Sequence, residues 1–157
     1  MAERPRIERT PRRGDAFMTP RPVSGDPGRF VVDATWGTLN PIQLAPGVAT
    51  VGELEVCDHV EAGLPLVDTR PAKVFAKATI PGARSIPHGE MAKRLGEVDR
   101  DVPTVLFCNG PQCSATPQAI RTLLDAGFPA GSLLYYRGGI HDWVTLGLPV
   151  TPGGGAS

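Results

Sequence analysis

The 157-residue sequence predicts an α/β domain with a central, mostly parallel sheet and helices on both faces. Three observations lead there. Short apolar runs alternate with segments of helical spacing between Val48 and Val150. Glycines stop the helical segments at Gly63, Gly127 and Gly147. The runs at 64–69 and 104–107 are mostly apolar, which suits strands covered on both faces. Strands joined through helices run parallel, because a crossover returns the chain to the same edge of the sheet.

In chain order, Thr50 is the expected N-cap of a first helix, with Glu53 completing a capping box three residues on. Leu54, Cys57 and Val60 form its apolar face, and Gly63 ends it. Residues 64–69 read as a buried strand, 71–77 as a short helix, and 80–87 as a turn and a short strand ending at Pro87. Residues 90–95 supply one or two helical turns. Thr104 to Phe107 is the most buried strand by composition, and Pro117 to Ala126 is a helix. Leu133 to Tyr136 is the last strand and His141 to Leu146 the terminal helix.

Composition narrows the function. Sixteen basic residues balance sixteen acidic ones, so nothing overall calls for a nucleic acid or an anionic membrane as partner. No apolar stretch approaches the ~18 residues of a membrane span, and the amino terminus lacks the apolar core of a secretion signal. Three Cys make no disulfide framework and leave at least one thiol free, which suits a reducing compartment and a cytoplasmic location. Residues 1–29 hold seven Arg and several Pro with few large apolar side chains, and are expected to be a disordered or extended arm. Residues 30–47, with Phe30, Trp36, Leu39, Ile42 and Leu44, read as an arm packing on the domain or on a second subunit. The domain itself spans 48–151, and 152–157 is expected to be a flexible tail.

The chemistry points to Cys108. A buried strand ends in it, a loop containing Gly110 follows, and a helix begins. A thiol so placed faces backbone N–H groups and a helix amino terminus, both of which favour a thiolate. Asp68 and Arg70 follow another buried strand and read as a structural ion pair beneath that loop, and Arg137 precedes Gly138-Gly139. Cys57 and Trp143 read as core residues, and His141 as a cap or surface residue. No Cys or His spacing suits a metal, and no glycine-rich nucleotide loop precedes a helix, so no cofactor is expected.

These pieces stand in a familiar order. Asp68-Thr-Arg70 follows a buried strand, Ile80-Pro-Gly-Ala83 leads to Ile86-Pro87, and Phe107-Cys108 opens a loop. Leu123-Leu-Asp-Ala-Gly-Phe128 ends the next helix, and Gly138-Gly139, Trp143 and Gly147-Leu-Pro149 close the series. From about Thr50 to Val150 the chain resembles the rhodanese-like (sulfurtransferase) domain. The resemblance implies that Cys108 takes a sulfane sulfur as a persulfide from a donor such as thiosulfate, a polysulfide or a persulfide. It then passes the sulfur to cyanide or to a thiol, on a small molecule or on a protein. It also implies that Asn109, Gly110, Pro111, Gln112, Cys113 and Ser114 form the cradle for the sulfur, with Arg137 a candidate contact for an anionic donor at the pocket mouth.

Two departures stand out. Pro111 has no N–H to give the cradle, and the sixth loop position, often Arg, Ser or Thr in the family, is Cys113. A neutral thiol does not attract an anionic donor as Arg would. Two other functions therefore stay open: a redox module cycling a Cys108–Cys113 disulfide, and a non-catalytic interaction module that keeps the fold. The cysteine phosphatases are excluded, because the Arg they place six positions after the Cys is Ser114 here.

Overall fold

The computed structural model describes residues 21–26, 30–31 and 39–154. Most of the expected arm at 1–29, the stretch 32–38 with Trp36, and the last three residues of the tail lie outside the described residues.

Among the described residues, seven strands and four helices follow in order, with short 3-10 turns between some of them. β1 (Arg21–Pro22) and β2 (Phe30–Val31) pair antiparallel. The other strands are β3 (Ala49–Thr50), β4 (Leu66–Asp68), β5 (Ala83–Ser85), β6 (Thr104–Phe107) and β7 (Leu133–Tyr135). They form one five-stranded sheet in the order β3-β7-β6-β4-β5, parallel throughout. The helices are α1 (Glu53–Glu61), α2 (Ala72–Lys77), α3 (Ala115–Asp125) and α4 (Gly139–Thr145).

Strand side chains alternate between the two faces, and the central strands are apolar in both directions. On one face Val67, Leu106, Leu133 and Tyr135 pack with Ala119, Ile120 and Leu123 of α3 and with Met91 of the 3-10 turn at His88–Lys93. On the other, Leu66, Val105 and Phe107 pack with Val56 of α1 and with Ile140 and Trp143 of α4. Burying a side chain of this size contributes about 1.5–3 kcal/mol, so these two layers hold the sheet.

The bounds of β6 are those expected, whereas α3 and α4 each begin two residues early. The first helix differs more. Its N-cap is Gly52, whose N–H donates to Glu55 Oε2 at 3.1 Å, and not Thr50. Thr50 is the end of β3 and donates its hydroxyl to the Ile42 carbonyl; Glu53 instead accepts from the Tyr136 hydroxyl at 3.0 Å. The apolar face shifts accordingly: Leu54 is 79% exposed, and Val56 is the buried anchor, with Cys57 and Val60 packed beside it. At the far end, Thr151 bridges to Thr79 and the Gly153 N–H donates to the Phe75 and Ala76 carbonyls.

Candidate active site

The strand register sets the place. Asp68 lies beside Phe107, and Leu106 beside Tyr135, so the segments leaving β4, β6 and β7 meet at the carboxyl edge of the sheet. In parallel α/β sheets ligands bind at that edge.

Cys108 follows β6 directly. It is 1% exposed, Cys113 is 2% exposed, and the two pack together with Ala115. The Cys113 N–H donates to the Gly110 carbonyl at 3.0 Å, a turn that folds the loop back and returns the second thiol to the first. Cys108 Sγ donates to the Cys113 carbonyl at 3.7 Å. No side chain caps α3, so its first N–H groups are left for the sulfurs. The Thr116 N–H and hydroxyl face Cys108, and the N–H groups of Ala115 and Asn109 face Cys113.

The two thiols divide one early ionisation. Cys113 is lowered to about 7, first by the hydrogen bond from Cys108, then by the backbone N–H of Ala115 and of Asn109 and by the Arg70 charge. Cys108 is pushed well up, first by burial and then by Cys113, against the Thr116 hydroxyl and N–H. Cys113 is therefore the thiol of the pair that ionises more readily, and Cys108 the one that burial holds neutral.

Three structures hold this loop. The first is the Asp68–Arg70 pair, 0% and 2% exposed. Arg70 Nε donates to Asp68 Oδ1 at 3.0 Å, Nη2 donates to Asp68 Oδ2 at 2.8 Å and to the Ala78 carbonyl at 2.6 Å, and Nη1 reaches Asn109 Oδ1 at 3.4 Å. The second is the start of α4. The Ile140 and His141 N–H groups donate to the Cys108 and Asn109 carbonyls at 3.0 and 2.8 Å. Gly139 makes that approach possible: its φ is +63°, and a Cβ there would lie 2.5 Å from the Cys108 carbonyl oxygen. The third is Asn40. Its N–H donates to the Pro111 carbonyl at 2.7 Å, and its Nδ2 to the Cys113 carbonyl at 2.7 Å and the Tyr135 hydroxyl at 3.2 Å.

The structure thus brings together Cys108, Asn109, Gly110, Pro111 and Cys113 as buried loop residues over Asp68 and Arg70. Gln112 is half-buried and Ser114 is exposed, its Oγ accepting from Gln118 Nε2 at 3.2 Å. Arg137 is engaged elsewhere: its Nε and Nη2 both donate to the Asn40 carbonyl, at 2.9 and 2.7 Å. His141 is neither cap nor surface residue; it is 7% exposed against the loop. Sequence reasoning missed Asn40, Thr116, Gly139 and Thr69. Thr69 donates to the Phe107 carbonyl at 3.0 Å and sits 2.9 Å from the Thr116 hydroxyl. Thr116 had a visible signal, a hydroxyl in the first turn after the loop; Asn40 had none, lying 73 residues from the carbonyl it holds. Among the described residues no cluster of His, Cys, Asp or Glu is placed to hold a metal ion, and no helix is long and apolar enough to cross a membrane.

A parallel sheet with a strand-end thiol facing the amino terminus of a helix defines a class, and comparison with known proteins agrees with it. The family model of the rhodanese-like domain matches residues 54–146, and the chain belongs to that family. It is 40% identical over 100 residues to an HTH-type transcriptional regulator of Mycobacterium tuberculosis, covering 63% of this chain and 43% of that protein. It is 34% identical over 85 residues to a sulfurtransferase of Allochromatium vinosum, covering 54% of this chain and 76% of that one. The chain therefore spans less than half the length of the first relative. A full-length protein from Lactobacillus plantarum has the same fold, with a TM-score of 0.57 at 25% identity, over 66% of this chain and 87% of that one.

Proposed function

We propose that residues 48–151 act as a sulfurtransferase in a reducing compartment such as the cytoplasm, with Cys108 as the sulfur carrier. The observation that carries this reading is the position of Cys108: a strand-end thiol touching the Thr116 N–H and hydroxyl, next to a second thiol that ionises near neutral pH. Family membership and the sulfurtransferase relative support it.

Cys108 Sγ attacks the sulfane sulfur of the donor while its proton passes to the Cys113 thiolate. The donor bond breaks, sulfite leaving from thiosulfate or a thiolate from an organic persulfide. The persulfide anion on Cys108 faces the Thr116 donors and the α3 amino terminus, which favour negative charge without a formal base. A thiol or cyanide then takes the terminal sulfur, regenerating Cys108. Loop residues Asn109 to Ser114 shape the cradle. Arg137, held by the Asn40 carbonyl, meets an anionic donor only after that strap moves.

Intact-protein mass spectrometry tests the reading after incubation with thiosulfate, with polysulfide, or with glutathione persulfide. The expected result is a gain of one sulfur atom in the wild type that is absent in Cys108→Ser. If no donor loads the wild type, the sulfurtransferase reading is wrong.

A further inference from the structure

We propose that Cys113 discharges the Cys108 persulfide inside the loop, so that the protein releases hydrosulfide from low-molecular-weight persulfides, with a soluble thiol as reductant. This rests on Cys108 carrying the persulfide. The Cys113 thiolate attacks Cys108 Sγ, and the bond from Sγ to the terminal sulfur breaks. That sulfur leaves with the bonding pair, and with the proton that Cys113 took up during loading, as hydrosulfide. A Cys108–Cys113 disulfide remains. One thiol molecule opens it to a mixed disulfide and a second releases the reduced protein, so two thiols become one disulfide and both cysteines regain their protons.

The geometry favours the inner attacker over an outer one. The turn from Gly110 to Cys113 brings the two cysteines into one packed cluster, with Cys108 Sγ already 3.7 Å from the Cys113 carbonyl. Cys108 is 1% exposed, so an outside thiol must open the loop before it lines up with the persulfide, whereas Cys113 already lies in the same buried cluster. Holding a nucleophile in the same packed cluster replaces a collision between molecules by a step within one. Cys113 is lowered to about 7, and an attacking thiol works best when its pKa lies near the ambient pH. Hydrosulfide, the conjugate base of a weak but appreciable acid, is a competent leaving group. A Ser or Thr hydroxyl would hold the Cys108 sulfur equally well; a thiol adds a nucleophile. The third cysteine does not compete, because Cys57 packs with the core on the opposite face of the sheet.

The test is a single turnover. Reduced, desalted protein receives one equivalent of glutathione persulfide with no other thiol and is quenched by an alkylating agent. Released hydrosulfide and intact mass are then measured for wild type and Cys113→Ser, each also carrying Cys57→Ser. The expected wild-type result is one hydrosulfide per chain and a protein lighter by two hydrogens that takes up no alkylating agent at Cys108 or Cys113. Cys113→Ser, lacking the proton acceptor, loads more slowly, but its end point is one extra sulfur atom and no hydrosulfide. Retention of the extra sulfur by the wild type, with no hydrosulfide, overturns the proposal and leaves Cys108 as a sulfur carrier. Absence of sulfur uptake in both proteins, with neither hydrosulfide release nor loss of two hydrogens in the wild type, overturns the proposal, and the sulfurtransferase reading falls with it when thiosulfate and polysulfide also fail to load the wild type.

Discussion

Two adjacent parallel strands, β4 and β6, leave the sheet at the same edge, and the residues after them are treated in opposite ways. After β4, Asp68 and Arg70 are saturated. The carboxylate accepts from the Arg70 N–H, Nε and Nη2 and from the Thr79 hydroxyl at 2.8 Å, and the guanidinium also reaches Ala78 and Asn109. After β6, Cys108 has a soft contact to a carbonyl and a few donors suited to an anion. One corner is closed to chemistry and rigid; the other keeps its polar groups in reserve. A buried charge pair with every partner in place is costly to break, while a buried thiol is cheap to neutralise and ready to react.

That contrast can be broken from either side. The largest effect on function is expected from Cys108→Ser, which abolishes sulfur loading in the mass assay while changing unfolding free energy by only about 1 kcal/mol. Arg70→Ala reverses the pattern. It strands Asp68 beneath the loop and costs about 3–5 kcal/mol in denaturant unfolding, the largest stability loss expected here. Gly139→Ala joins the two regions: a left-handed backbone and a Cβ pressed on the Cys108 carbonyl cost about 1–3 kcal/mol and displace the loop, which slows sulfur loading as well.

Smaller effects sharpen the comparison. Asn40→Ala removes one hydrogen bond from the thiol loop and one from Tyr135, and none from the Asp68–Arg70 corner, at about 1–2 kcal/mol. Amide exchange should then accelerate at residues 108–114 and stay unchanged at 68–70. The finest test is pH. Because Cys113 is lowered to about 7 and Cys108 is raised, thiolate absorbance should show one group charging as pH rises through about 7, and the other only well above the usual thiol range. Alkylation by iodoacetamide should speed up over the same interval, and Cys113→Ser should remove that first step.

Much of the frame was legible because it is written in local pattern. The apolar run 104–107 and its stop at Cys108 gave β6 and the thiol, and the glycines at 63, 127 and 147, all at positive φ, gave the helix ends. What failed was long-range. Gly52-x-x-Glu55 carries only the glutamate half of the capping template that Thr50-x-x-Glu53 fits in full, and only the contacts of Thr50 with Ile42 and of Glu53 with Tyr136 decide between them. Leu54 looked like a core residue for the same reason, since a shift of two residues in the cap rotates the buried face to Val56 and His59. Arg137 could be placed at the carboxyl edge from sequence, but its partner, a main-chain carbonyl 97 residues away, could not.

Asn40 also bears on how such domains diversify. It lies upstream of the span that the family shares, residues 54–146, yet it clasps the thiol loop and holds Arg137. Chains that share this fold can therefore differ in how the thiol loop and Arg137 are held, through a segment outside the shared span.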